Sequence, residues 1–145
     1  MGKRRRARES AMQILFQMDL GGVTLDEALN NFWSTHKYPT EVREFATRLV
    51  KGAIDSKDVV DGEIVKYAEH WDISRMEVVD RNILRLAIYE ILYLKDIPLK
   101  VSIDEAIEIA KRFSTAGSGK FVNAILDKVA KRKFQRTEDA NKLND

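Results

Sequence analysis

Cysteine is absent from this chain, which excludes disulfides, thiolate zinc sites and cysteine nucleophiles and fits a reducing, cytoplasmic setting. Proline occurs only at Pro39 and Pro98, so long segments can run as helix without interruption. Histidine is equally scarce: His36 and His70 stand alone, without ligand partners at helical spacing, and give no metal site. No apolar run approaches the roughly 18 to 20 residues that a membrane-spanning helix needs. The Arg-rich start imitates the first part of a signal peptide. Glu9, Ser10, Gln13, Gln17 and Asp19 interrupt the apolar segment that should follow, so secretion is not expected.

What is present reads as one helical domain. The chain has 145 residues, 44% apolar and 33% charged, enough for a single continuous core and too few for a second, catalytic domain. Apolar residues recur with helical rather than alternating periodicity. Helices are expected near 4–20, 25–35, 41–54, 57–70, 75–79, 81–95, 103–114 and 119–133. Thr24 with Glu27, Ser74 with Glu77 and Ser102 with Glu105 have capping-box spacing. Residues 1–133 make the domain, and 134–145 read as a polar, fraying tail.

The faces of these helices differ. Over 103–114, Ile103, Ala106, Ile107, Ile109, Ala110 and Phe113 share one side, opposite Asp104, Glu105, Glu108, Lys111 and Arg112. From Val78 to Leu94 almost no polar face remains, which predicts a central, mostly buried helix. The last helix sets Phe121, Val122, Ile125, Leu126 and Val129 against Lys120, Asn123, Asp127 and Lys131. A compact all-α bundle follows.

The first helix carries the functional signal. Residues 1–10 hold five Lys or Arg against one Glu, whereas the whole chain is only +2, so the remainder is net negative. Positive charge gathered at one end is the mark of polyanion binding. Lys and Arg neutralise phosphates and release counterions, and Arg also stacks on unpaired bases. Consecutive arginines at a helix N-terminus oppose the helix dipole, so helix stability alone does not explain them. Further along, Ala7, Ala11, Ile14, Leu15 and Met18 form a core stripe. A second set, Met12, Phe16 and Leu20, projects elsewhere, toward another helix of the bundle or toward a partner.

Other motifs point away from catalysis. Gly117-Ser118-Gly119-Lys120 invites a phosphate-loop reading, but Ser114 stands where the first glycine belongs and Phe121 where Ser or Thr should follow. A tight interhelical turn with Ser118 as N-cap fits better, and its free amides and Lys120 suit an RNA phosphate. Asp104, Glu105 and Glu108 are the acids expected in the first turns of a helix. Tyr89 and Tyr93 read as core aromatics.

Four motifs in order carry a family resemblance. They are Arg4-Arg5-Arg6-Ala7-Arg8-Glu9, Asp80-Arg81-Asn82-Ile83-Leu84-Arg85-Leu86-Ala87-Ile88-Tyr89-Glu90, Ile97-Pro98-Leu99-Lys100-Val101-Ser102-Ile103-Asp104-Glu105-Ala106-Ile107-Glu108 and Lys120-Phe121-Val122-Asn123-Ala124-Ile125-Leu126-Asp127. Together they resemble the NusB family of bacterial transcription antitermination proteins over nearly the whole chain, least in residues 21–70. The resemblance implies about seven helices in two small packed subdomains and a non-enzymatic role without cofactor or metal. It also implies partners: boxA RNA, read together with the ribosomal protein NusE, and the RNA polymerase antitermination complex with other Nus factors, notably on ribosomal RNA operons. Carried over by position, Lys3, Arg4, Arg5, Arg6 and Arg8 contact RNA, with Phe113, Ser114, Lys120 and Phe121 completing its path. Phe16, Ser74 and Asp80 fall where family members meet NusE. Gly117 and Gly119 replace Asp and His of some relatives, and Phe16 replaces a tyrosine. Some members self-associate as homodimers. The rival readings are a helical accessory to ribosomal RNA modification and a protein-only scaffold; a methyl-donor site would need a glycine-rich strand-to-helix turn that this chain lacks.

Overall fold

The computed structural model describes residues 2–69, 72–115 and 117–144, and among them every regular element is helical. The elements are α1 (Lys3–Gly21), α2 (Leu25–Thr35), α3 (Thr40–Asp55), α4 (Lys57–Tyr67), α5 (Val78–Tyr93), α6 (Leu99–Phe113) and α7 (Ser118–Asn144). A single 3-10 turn, Ile73–Arg75, precedes α5. Helices α1 to α3 pack on one another, α4 to α7 form a second group, and α1 and α3 lie against α5. That seam gives two subgroups one continuous core. Ile14, Leu49, Ile64, Leu84, Ile88, Ile91 and Leu126 are its largest fully buried side chains. Each contributes about 1.5–3 kcal/mol by leaving water. No helix among the described residues is long and apolar enough to cross a membrane.

Several boundaries differ from expectation for identifiable reasons. The Thr24–Glu27 cap forms, with the Glu27 amide donating to Thr24 Oγ1 at 3.2 Å. The other two expected caps do not. Pro98, whose fixed φ suits a helix entry, starts α6 at Leu99 instead of 103 and leaves Ser102 buried within the helix. Asp72, not Ser74, caps the 3-10 turn by accepting from the Ser74 amide at 3.1 Å. The helix expected at 75–79 is absent, because Met76 and Glu77 are extended and Met76 enters the core. Helix α4 ends at Tyr67, and His70 lies outside the described residues. Helix α7 continues past 133 to Asn144, with no proline or glycine after Gly119 to stop it. The first helix is capped by Gly22, whose φ of 63° is left-handed and suits glycine.

Two further contacts set the geometry of the α1–α3–α5 seam. Tyr89 sits directly over Gly52, where an added Cβ would lie 2.0 Å from Tyr89 Cζ. With that space filled, Tyr93 one turn later is left outside; it is 46% exposed and stacked on Tyr89 at 5.4 Å. Tyr93 is therefore not the core aromatic that the sequence suggested, and Tyr89 is only half-buried. At the other end of α1, Asp19 accepts from Arg81 at 2.7 and 2.8 Å, from Asn82 at 3.0 Å and from Arg85 at 3.1 Å. Arg85 also forks onto Asp61 of α4 at 2.8 and 3.2 Å.

Partial burial alone would favour a protonated Asp19. The Arg81 and Asn82 hydrogen bonds and the two guanidinium charges outweigh it and hold the carboxyl below the usual range. Stability from this ion is therefore present above the unfolded aspartate value, near 3.9, and is lost as pH falls through the lower folded value. Asp19→Asn should lower the melting temperature at neutral pH and flatten its decline on acidification, as read by thermal denaturation at a series of pH values. Gly52→Ala should destabilise by about 1–3 kcal/mol through overpacking, and Tyr89→Leu in the same chain should relieve part of that loss in urea unfolding.

Candidate nucleic-acid interface

The basic run fills the first two turns of α1, where unpaired backbone amides already carry positive charge. No acidic residue lies in its first turn. The compensating carboxylates come from three other helices. Lys3 pairs with Glu41 of α3 at 3.0 Å. Arg5 forks onto Glu105 of α6 at 2.7 and 3.0 Å. Arg8 forks onto Glu90 of α5, with Nη2 at 2.8 Å and Nε at 3.0 and 3.2 Å. Two guanidiniums also rest on rings: Arg4 lies 3.8 Å from the Phe45 centroid and Arg6 4.8 Å from that of Tyr38.

These positions separate the arm into two kinds of residue. Lys3 and Arg4 are exposed, and Arg5 and Arg6 are half-buried. Arg8 is only 5% exposed, and Ser102 Oγ donates at 3.1 Å to the same Glu90 carboxylate. Arg8, expected among the RNA contacts, is thus a buried side chain whose Nε and Nη2 are taken by Glu90. The Arg5 hydrogen bond, with its charge, outweighs partial burial and holds Glu105 below the usual carboxylate range. Arg5 uses Nε and one Nη2 proton on Glu105, so its Nη1 edge can meet a further acceptor. With α6 starting at Leu99, the acids expected in its first turn lie beyond it; Glu105 serves Arg5, and Glu108 pairs with Lys111 at 3.6 Å.

Helix α6 aligns the arm with the turn that follows. Glu105 meets Arg5 at one level, and seven residues later Arg112 donates to Glu9 at 3.0 Å, about 10 Å along the helix. Arg112 also lies 5.3 Å from the Phe113 ring. Phe113, Ser114 and Phe121 are half-buried and Lys120 is exposed, so this end offers aromatic surface beside a cation. Ser118 opens α7, but its hydroxyl is turned to Asp80 Oδ2 at 3.0 Å and lies 2.8 Å from Ser114 Oγ. Among the described residues, no group of three His, Asp or Glu could hold a metal ion.

Asp80, expected to meet a protein, and the turn, expected to meet RNA, face one groove of about 260 Å³. Asp80 is buried, and its Oδ1 has no hydrogen-bond partner among the described residues. Such an oxygen costs about 1–3 kcal/mol unless a donor reaches it. Arg81 lies 3.4 Å from the carbonyl of exposed Ser74 while holding Asp19, which brings the end of α1 against the 3-10 turn. In the unexplained second stripe, Met12 is buried in the core, Phe16 is half-buried and Leu20 is 61% exposed. Its residues therefore do not act as a unit. Sequence reasoning missed Glu41, Glu90, Phe45 and Tyr38, which hold the arm; only their distant pairing gives them meaning.

Comparison with known proteins adds an independent finding. The NusB family model matches residues 5–131. The transcription antitermination protein NusB of Thermodesulfovibrio yellowstonii is 41% identical over 150 residues, covering 97% of this chain and 99% of the relative. A solved structure of T. maritima NusB superposes with a TM-score of 0.81 at 45% identity, over 88% of this chain and 90% of that one. A crystal structure of antitermination factors NusB and NusE in complex with dsRNA gives 0.82 at 28% identity, over 91% and 98%.

The burial of Arg8 leads to a stability test. Arg8→Ala strands a buried carboxylate and should cost about 3–5 kcal/mol in chemical denaturation, whereas Arg8→Met with Glu90→Leu should cost much less. Equal losses in the two variants would remove the case for an anchoring pair.

Proposed function

Because this chain belongs to the NusB family, we propose that it is a non-enzymatic transcription antitermination factor that binds boxA RNA together with NusE. In this reading the pair joins RNA polymerase and other Nus factors in the cytoplasm and suppresses premature termination, notably on ribosomal RNA operons. The observation that carries it is the arm itself: cations fixed at the start of α1, with Arg4 and Arg6 seated on rings and the α6–α7 turn beside them. A solvated helix end does not need aromatic seats. Guanidiniums held this way keep their N–H edges for phosphates, and Phe113 and Phe121 add surfaces for unpaired bases.

The proposed RNA contacts are Lys3, Arg4, Arg5, Arg6, Phe113, Ser114, Lys120 and Phe121. Arg8 acts behind them by fixing the register of the helix. The proposed NusE contacts are Phe16, Ser74 and Asp80. The orphaned Asp80 Oδ1 supports a donor arriving from the partner, and the hydrogen bond from Ser118 to Asp80 supports a position for that donor near the proposed RNA path. Shared walls of one groove give a physical reason for the two ligands to bind together.

Arg4→Ala with Arg6→Ala should weaken boxA binding and lower the slope of log affinity against log salt by about 0.7 for each phosphate no longer neutralised. Partner binding by calorimetry should stay unchanged in that variant. Asp80→Ala should do the reverse. A pull-down with boxA RNA and a scrambled control, with and without NusE, checks sequence preference, and equal capture of both RNAs in the presence of NusE would sink it.

A further inference from the structure

The expected RNA path follows α6 on one side of the arm, but the arm has a second side. Lys3 and Arg4 share a groove with Glu41, Glu44, Phe45 and Arg48 of α3. Arg48 and Lys51 are exposed on that helix, at positions one turn and one residue before Gly52. Gly52 lies beneath Tyr89, while Ala53 and Ile54 line a groove with Asn82 and Arg85. Moving back along α3 therefore moves forward along α5. Arg48, one turn before Gly52, and Tyr93, one turn after Tyr89, therefore fall toward the same end of the α3–α5 contact.

This puts an exposed ring at the same end of the seam as exposed Arg48. Tyr93 is backed by Tyr89 at an interplanar angle of 30° and leaves nearly half its surface open. At the same end of α5, Lys133 donates to the Ile91 carbonyl. Burial, and then the Lys95 ammonium, pushes Lys133 below the usual lysine range. Cations at a helix C-terminus are favoured by its dipole. On α3 and the arm, Lys3, Arg4, Arg48 and Lys51 stand with three carboxylates, Glu41, Glu44 and Asp55, of which Glu41 is matched by Lys3.

We propose that Tyr93, with Arg48 and Lys51, forms a second single-stranded RNA platform that takes nucleotides flanking the element read by the arm. A base stacks on the open face of Tyr93, and the adjoining phosphates meet Arg48 and Lys51. Stacking on a ring beside cations is tolerant of base identity, so the platform extends the path without adding sequence preference. Its continuity with Arg4 through the α3 groove makes one strand able to cross both surfaces. The proposal rests on the RNA-binding reading above and deepens it.

The test uses the full chain with NusE and two RNAs: a minimal boxA element, and the same element with a single-stranded extension of about ten nucleotides at either end. In fluorescence anisotropy at fixed salt, one extended RNA should bind the wild type about tenfold more tightly than the minimal one. Tyr93→Ala, or Arg48→Ala with Lys51→Ala, should abolish that gain while leaving minimal-element affinity unchanged; Tyr93→Phe should keep it. A 4-thiouridine in the extension should crosslink to α3 or to the end of α5. An extension gain that survives in the variants, or no gain in the wild type, overturns the platform while minimal binding still upholds the arm. Loss of minimal binding in the wild type would instead remove the underlying reading. Should Tyr93→Ala change only the sedimentation mass, this face joins two copies of the chain and the proposal is wrong.

Discussion

The Arg8–Glu90 pair is the interaction on which the rest of the structure depends. It connects α1 to α5, the helix at the seam of both groups, and Ser102 draws α6 into the same point. A buried charge pair is a poor source of net stability, because desolvation consumes much of the attraction. What it supplies is register. A carboxylate that accepts from Arg8 Nε and Nη2 and from a serine admits one rotation of α1 about its axis. That rotation directs Arg5 to α6 and Arg4 to α3, and everything said of the arm follows from it.

Much of this architecture is legible in the sequence. Helical periodicity located the seven helices, and the stripes of α6 and α7 face the core as the wheel predicts, with Ala106, Ile109 and Ala110 buried alongside Val122, Ile125 and Leu126. What was not legible depended on contacts distant in sequence. Ser102 and Glu105 have the spacing of a cap, but Glu90, 12 residues from Ser102, and Arg5, 100 residues from Glu105, take their side chains. Arg8 looks like its neighbours in a basic run, and only a carboxylate 82 positions away marks it as interior. Tyr93 belongs to an apolar segment, yet Tyr89 and Gly52 close the space it would need. Local pattern predicts elements well; it cannot tell which of several like charges will be covered.

The groove at Asp80 illustrates a related point about assigning roles. By motif, Asp80 and the α6–α7 turn are expected to serve different ligands. In space they share a hydrogen bond through Ser118 and line the same depression. A carboxylate oxygen left without a donor is tolerated here at the N-terminal end of α5, where the helix dipole favours negative charge. Sites of this kind are stable enough to persist and incomplete enough to favour a complementary donor.

The rings beneath Arg4 and Arg6 bear on kinetics. Arginine-rich segments that are disordered lose backbone freedom worth about 1–2 kcal/mol per residue when they bind, and their ordering slows the productive step. Here the helix, the carboxylates and the rings have already fixed that geometry. Ligand capture then resembles the docking of a preshaped surface. Its on-rate should be governed by diffusion and long-range attraction, and so respond to ionic strength more than to the folding of the arm.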